Sequence, residues 1–235
     1  MRHLLALVLV VAMSGTVAQV QPVDMDIAAP DGARLRATYY SPGTAGPGIL
    51  LLHECDMDRR SWASLARAFV TQGIHVLTFD YRGYGESPRA TGAGPVDGRA
   101  QSAGDIDAAF SALRARPGVD PSRLAAGGAS CGVNHSVELA RRNDGIRALV
   151  LIGGPSTSAG IQFLADHPGI ALFGADTLEP QMKETYVGQI VAGSKHPANV
   201  IHEIRNGGHG VRLFDTDPTL VPAAASWLAQ VLAKP

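Results

Sequence analysis

Leu124-Ala125-Ala126-Gly127-Gly128-Ala129-Ser130-Cys131-Gly132-Val133 is the stretch on which the fold turns. Leu124 to Gly127 is a short apolar run of strand length, and an amphipathic run, Val133 to Arg142, begins almost at once behind it. Between them stands G-x-S-x-G. A strand that reverses this sharply into a helix puts Ser130 at the apex with its Oγ exposed, and glycine on both sides lets strand and helix approach without Cβ clashes. A purely structural Gly-rich turn is the competing reading of the pentapeptide by itself.

Working outward, the same alternation recurs. Val23 to Ala28 and Leu35 to Tyr40, joined by Pro30-Asp31-Gly32, read as a hairpin. Ile49 to Leu52, Val76 to Phe79, Ala148 to Ile152, Ile170 to Phe173 and Val200 to Ile204 are apolar runs of the kind buried on both faces of a parallel sheet. Helix-like runs fall between them, at Trp62 to Thr71, Gly98 to Arg116, Pro180 to Val191 and Thr219 to Leu232. Strands alternating with helices imply right-handed crossovers and a doubly wound α/β sheet, whose ligands sit beyond the carboxyl ends of the strands.

Residues following the strands are therefore the ones to inspect. A serine hydroxyl needs a base, and of the eight histidines only His209, in Asn206-Gly207-Gly208-His209-Gly210, has a Gly-rich loop setting after the last strand. Asp176, in Phe173-Gly174-Ala175-Asp176, follows a strand between the two and would orient the imidazole; Glu179 is its rival. The order Ser130, Asp176, His209 distinguishes this arrangement from two other triad orders. An oxyanion hole needs two backbone N–H groups. One is expected from Cys131, at the start of the helix after the serine, and one from the His53-Glu54-Cys55 loop, with Cys55 favoured and Glu54 second.

Composition bounds the rest. With 235 residues, 46% hydrophobic and 17% charged, the chain is globular and forms one large domain. Twenty Lys plus Arg against 21 Asp plus Glu leave no basic field for nucleic acid. Met1-Arg2-His3, the ten apolar residues Leu4 to Met13 and the small residues Ser14 to Ala18 read as a secretory signal peptide, residues 1–18, ahead of a single domain at 19–235. The apolar run is too short for a permanent membrane span, and a secreted or periplasmic location follows; a buried N-terminal helix is the other reading.

The chain resembles the α/β-hydrolase superfamily, and within it the dienelactone hydrolase group and small cap-less esterases. Leu51-Leu52-His53-Glu54, Asp80-Tyr81-Arg82-Gly83-Tyr84-Gly85-Glu86-Ser87, the Ser130 pentapeptide, Phe173 to Asp176 and Gly207 to Gly210 carry the likeness. The resemblance implies an eight-stranded, mostly parallel sheet and ester or lactone hydrolysis through an acyl-enzyme, without a cofactor; the sequence offers no metal-ligand set. Dienelactone hydrolases carry a Cys nucleophile with a Glu poised against it. Here the matching position is Ser130, with Glu54 left to hydrogen-bond near the nucleophile or to order a loop. D-x-R-G-x-G-x-S reads as a structural turn.

Both cysteines fall at the expected oxyanion positions. A disulfide between Cys55 and Cys131 would tie the two loops, provided their Cα atoms lie about 4.4–6.8 Å apart; two buried small hydrophobes are the alternative. His53 is a further candidate beside the site. Arg59, Arg60 and Arg82 are candidates to meet a substrate carboxylate, and Met57 and Trp62 to line an acyl pocket, with core packing favoured for Trp62. Gly153 to Gly169 is too short for a lid domain, so an open site for a small-molecule or polymeric ester is expected, in a monomer or small homo-oligomer. A serine peptidase or acyltransferase on the same fold, or a non-catalytic binding protein, are the alternatives.

Overall fold

In the computed structural model the described residues are 21–89 and 98–233, without the side chains of 98–102. The leader read at 1–18 lies outside them. Eight strands form one sheet: β1 (Val23–Ala28), β2 (Arg34–Tyr40), β3 (Gly46–Leu52), β4 (His75–Phe79), β5 (Val119–Ala129), β6 (Ile146–Ile152), β7 (Ala171–Leu178) and β8 (Val200–Arg205). Their order is β1-β2-β4-β3-β5-β6-β7-β8. β2 is antiparallel to both of its neighbours, and every other pair is parallel.

The helices are α1 (Ala63–Thr71), α2 (Gly98–Arg114), α3 (Cys131–Arg142), α4 (Ser158–Asp166), α5 (Tyr186–Gly193), α6 (Leu213–Thr216) and α7 (Leu220–Leu232). Alternate residues of the central strands face opposite layers, as the period of two requires. Leu50 and Leu52 join Phe110 of α2, Val137 of α3 and Ile190 of α5 on one side. Ile49 and Leu51 join Trp62, Leu65 and Phe69, and Leu228 of α7, on the other. Each fully buried side chain of this size contributes about 2 kcal/mol, so the strand ends that carry the chemistry project from a rigid slab. Trp62 is part of that core, its ring 6.2 Å from Phe214.

Among the differences from the sequence reading, β5 runs from Val119 to Ala129, α6 is a short helix outside that reading, and three others bear on the site. α4 occupies a stretch read as plain connection; Thr157 starts it by accepting from the Gly160 N–H at 3.0 Å. α5 begins at Tyr186 rather than Pro180, because Thr185 Oγ1 accepts from the Gly188 N–H at 2.9 Å and sets the helix start there. β7 continues to Leu178, so Asp176 lies within the strand, paired with Glu203, instead of after it.

The D-x-R-G-x-G-x-S turn is structural. Asp80, at the end of β4, accepts the backbone N–H groups of Arg59 and Glu86, each at 2.8 Å, and the Arg59 guanidinium at 2.5 Å. Ser87 Oγ donates to the Asp80 carbonyl at 2.7 Å and accepts from the Arg36 N–H at 2.9 Å. Gly85 adopts φ +49°, and a Cβ there would overlap the Asp80 carboxyl group. Asp80 is fully buried, and these bonds from Arg59 and Glu86 satisfy both of its carboxyl oxygens.

Candidate active site

β5 ends at Ala129 and α3 starts at Cys131, leaving Ser130 alone to make the turn with φ +52° and ψ −119°. That strained conformation is held by close packing. A Cβ on Gly128 would overlap the Gly132 backbone, and one on Gly132 would overlap the Leu52 carbonyl oxygen. The Ser130 N–H donates to the Ile152 carbonyl at 3.0 Å. Both motif glycines therefore serve close approach of α3 to β3 and β5, and the elbow aims Ser130 Oγ out of the sheet.

His209 stands in the loop after β8, where Gly208 and Gly210 adopt φ of +82° and +57°. Its Nε2 is 2.7 Å from Ser130 Oγ. A hydroxyl hydrogen-bonded to an imidazole is a pair in which the ring can take the hydroxyl proton as oxygen attacks. His209 is exposed and Ser130 half-buried, so the pair is open to solvent.

Asp176 is buried, and its Oδ1 and Oδ2 accept the backbone N–H groups of Thr177 at 2.8 Å and Val187 at 3.0 Å. Burial raises its pKa, while those two N–H groups and the nearby His209 draw it back. Among the described hydrogen bonds none joins Asp176 to His209; the interaction between them is one of charge. Glu179, the rival acid, is half-buried at the turn beyond β7, its carbonyl accepting from the Met182 N–H at 2.9 Å.

Cys55 and Cys131 form a disulfide with their Cα atoms 5.9 Å apart. It joins the turn after β3 to the first residue of α3, where a helix N–H has no intrahelical partner and the dipole is positive. The two backbone N–H groups expected to form an oxyanion hole thus belong to covalently linked residues. His135 offers a ring nitrogen within 4.8 Å of both sulfurs, but sulfurs bonded to each other present no thiolate to a metal.

His53 is fully buried behind this loop. Its Nε2 accepts from the Tyr81 N–H at 3.0 Å, which leaves the proton on Nδ1, donated to the Glu54 carbonyl at 2.6 Å. Burial lowers its pKa, and protonating Nε2 would break the Tyr81 bond. His53 is a neutral strut beneath the loop, without access to substrate. The Glu54 carboxylate turns to the His209 loop: its Oε1 accepts from the Val211 N–H at 2.7 Å, and a Cβ on Gly210 would overlap it.

The arginine expectation is corrected. Arg82 is buried, and its guanidinium is occupied by Asp105 at 2.6 and 2.8 Å and by Asp31 at 2.5 and 2.7 Å. With both carboxylates binding in bidentate fashion, four of the five N–H donors of Arg82 are engaged in tying α2 to the β1–β2 turn, and its charge is already matched by two carboxylates rather than held for a substrate. Arg59 is spent on Asp80, Asp24 and Glu86, and Arg60 pairs with Asp58 and Glu86. Met57 is half-buried beyond the Cys55 turn. One residue escaped the sequence reading altogether: Thr177 Oγ1 donates to the Gly208 carbonyl, bracing the loop next to His209. A threonine beside an acid carries no sequence signal of that contact.

Comparison with known proteins agrees with this architecture. Residues 48–220 match the family model described as serine aminopeptidase, S33. An uncharacterized Mycobacterium tuberculosis protein is 37% identical over 122 residues, 50% of this chain and 40% of that protein, so the chain spans well under two thirds of that relative. At the level of fold, the Pyrococcus furiosus esterase Pf2001 superposes with a TM-score of 0.67 at 15% identity, covering 90% of this chain and 93% of that one. A puromycin-hydrolyzing peptidase of M. tuberculosis does so with a TM-score of 0.70 at 19% identity, covering 94% of this chain and 41% of that one. With its eight-stranded sheet, its serine elbow and a family match across most of its length, the chain belongs to the serine aminopeptidase, S33, family of the α/β-hydrolase fold.

Proposed function

We propose that the chain is a serine hydrolase of carboxylic esters or lactones. The observation that carries this is the 2.7 Å contact between Ser130 Oγ and His209 Nε2 at a solvent-open site. In this reading Ser130 attacks the carbonyl carbon as His209 takes its proton, and the tetrahedral oxyanion is received by the N–H groups of Cys131 and Cys55. Protonated His209 returns the proton to the leaving alcohol, and Asp176 stabilises the imidazolium by charge. Water, deprotonated by the same imidazole, then attacks the acyl-enzyme ester, releasing the acid and restoring Ser130. The chemistry needs no cofactor.

The short β6–β7 connection, which holds only α4, supports an uncapped site for small or polymeric esters. Export fits the same picture, because a structural disulfide belongs to an oxidising compartment. Among the described residues no helix is long and apolar enough to cross a membrane.

The family description favours amide cleavage as the second reading. A panel of p-nitrophenyl esters of graded acyl length against alanine p-nitroanilide separates the two. The expected result is turnover of the short esters at least ~100-fold above the anilide, about 2.7 kcal/mol in barrier. Comparable turnover of the anilide would favour the peptidase.

A further inference from the structure

Glu54 is buried, 1% exposed, and sits one residue before the proposed oxyanion donor Cys55. Its side chain nevertheless leaves that loop and crosses to the one that carries His209. There Oε1 accepts the Val211 N–H at 2.7 Å, and the carboxyl group fills the space beside Gly210 where any side chain would collide. On the other flank of His209, Thr177 Oγ1 donates to the Gly208 carbonyl. The His209 loop is therefore held on both sides, at Gly208 from β7 and at Gly210 and Val211 from the turn after β3.

We propose that Glu54 is a positioning residue for His209, holding its loop against Ser130 and serving, together with Asp176, as a second buried carboxylate that stabilises the protonated imidazole. The inference rests on the esterase reading above. It also departs from the arrangement implied by the dienelactone hydrolase resemblance, since Glu54 engages the loop of the base and not the nucleophile.

Three features carry it. Asp176 already spends both oxygens on backbone N–H groups, so a second negative charge has work to do when His209 becomes a cation. Burial raises the Glu54 pKa and repulsion from Asp56 adds to the rise, while the Val211 N–H and the charges of His209 and Arg212 oppose it and favour the carboxylate. Glu54 also links the two halves of the reaction. The segment that supplies an oxyanion N–H is the one that anchors the base, so neither half shifts without the other.

Two substitutions separate charge from tether. Glu54→Gln keeps an acceptor oxygen for the Val211 N–H and removes the charge; Glu54→Ala removes both. The measurement is kcat and KM for p-nitrophenyl acetate across pH, with the unfolding midpoint of each variant. For Glu54→Gln the expected result is a kcat reduced about fivefold, with the acid limb of kcat/KM moved to lower pH. The sign follows because loss of a nearby negative charge makes the imidazole harder to protonate, so the free base persists further into acid. For Glu54→Ala the expected loss is about thirtyfold in kcat with KM little changed. An unmoved acid limb in Glu54→Gln, or wild-type kcat in folded Glu54→Ala, overturns the proposal. Absence of ester turnover in the wild-type chain would count against the esterase reading instead.

Discussion

Ser130→Ala lowers ester turnover by about five to six orders of magnitude while leaving the fold intact. The size follows from the unit-like behaviour of nucleophile and base: once the attacking oxygen is gone, only binding and the oxyanion donors remain to accelerate attack by water. Retention of the fold follows from the contacts of Ser130. Its Oγ bonds His209 Nε2, whereas the turn is held by the backbone bond to Ile152 and by the close packing of Gly128 and Gly132. Alanine has the same Cβ, so the φ of +52° costs no more than it does with serine. Steady-state turnover of p-nitrophenyl acetate with circular dichroism of the same sample checks both halves. A folded variant with even a hundredth of wild-type turnover would be incompatible with Ser130 as nucleophile.

Opening the Cys55–Cys131 disulfide is the second large effect, and it falls on stability and rate together. The bridge closes a sequence separation of 76 residues, and the chain-entropy model for a loop of that length gives about 4.5 kcal/mol of stabilisation. Cys55 is exposed, so a phosphine reductant reaches it. Reduction consumes one phosphine and one water and yields two thiols and a phosphine oxide. Guanidinium denaturation with and without the reductant is expected to show a clearly lower midpoint for the reduced protein and a steeper slope, because the unfolded chain freed of its cross-link exposes more surface. Under conditions where the reduced protein stays folded, kcat is expected to fall by about tenfold. The donors that receive the oxyanion then lose their covalent registration, a smaller loss than deleting a donor outright. Superimposable denaturation curves and unchanged kcat would show that the bridge contributes to neither.

The sheet was legible because its central strands are short and apolar on both faces. Only a layered α/β arrangement buries a run such as Ile49 to Leu52 on two sides at once. The serine elbow was legible because its glycines answer a steric demand, and His209 because a Gly-flanked histidine after the last strand has a definite place in such a fold. Other features depend on contacts between residues far apart in the chain. Thr185 shortens α5 through a hydroxyl cap that competes with the helical pattern from Pro180. Arg82 looks available in sequence, but Asp31 and Asp105 reach it from 51 and 23 residues away. Glu54 and Val211 are 157 residues apart, so the direction of that carboxylate follows from the fold alone.

The central claim, that Ser130 is a nucleophile activated by His209, is tested most directly by labelling with a fluorophosphonate and reading the intact mass and the modified peptide. The predicted result is a single adduct on the peptide containing Ser130, formed at a much lower rate in His209→Ala and absent from Ser130→Ala. No adduct on the folded wild-type chain, or one that forms equally in Ser130→Ala, would contradict it.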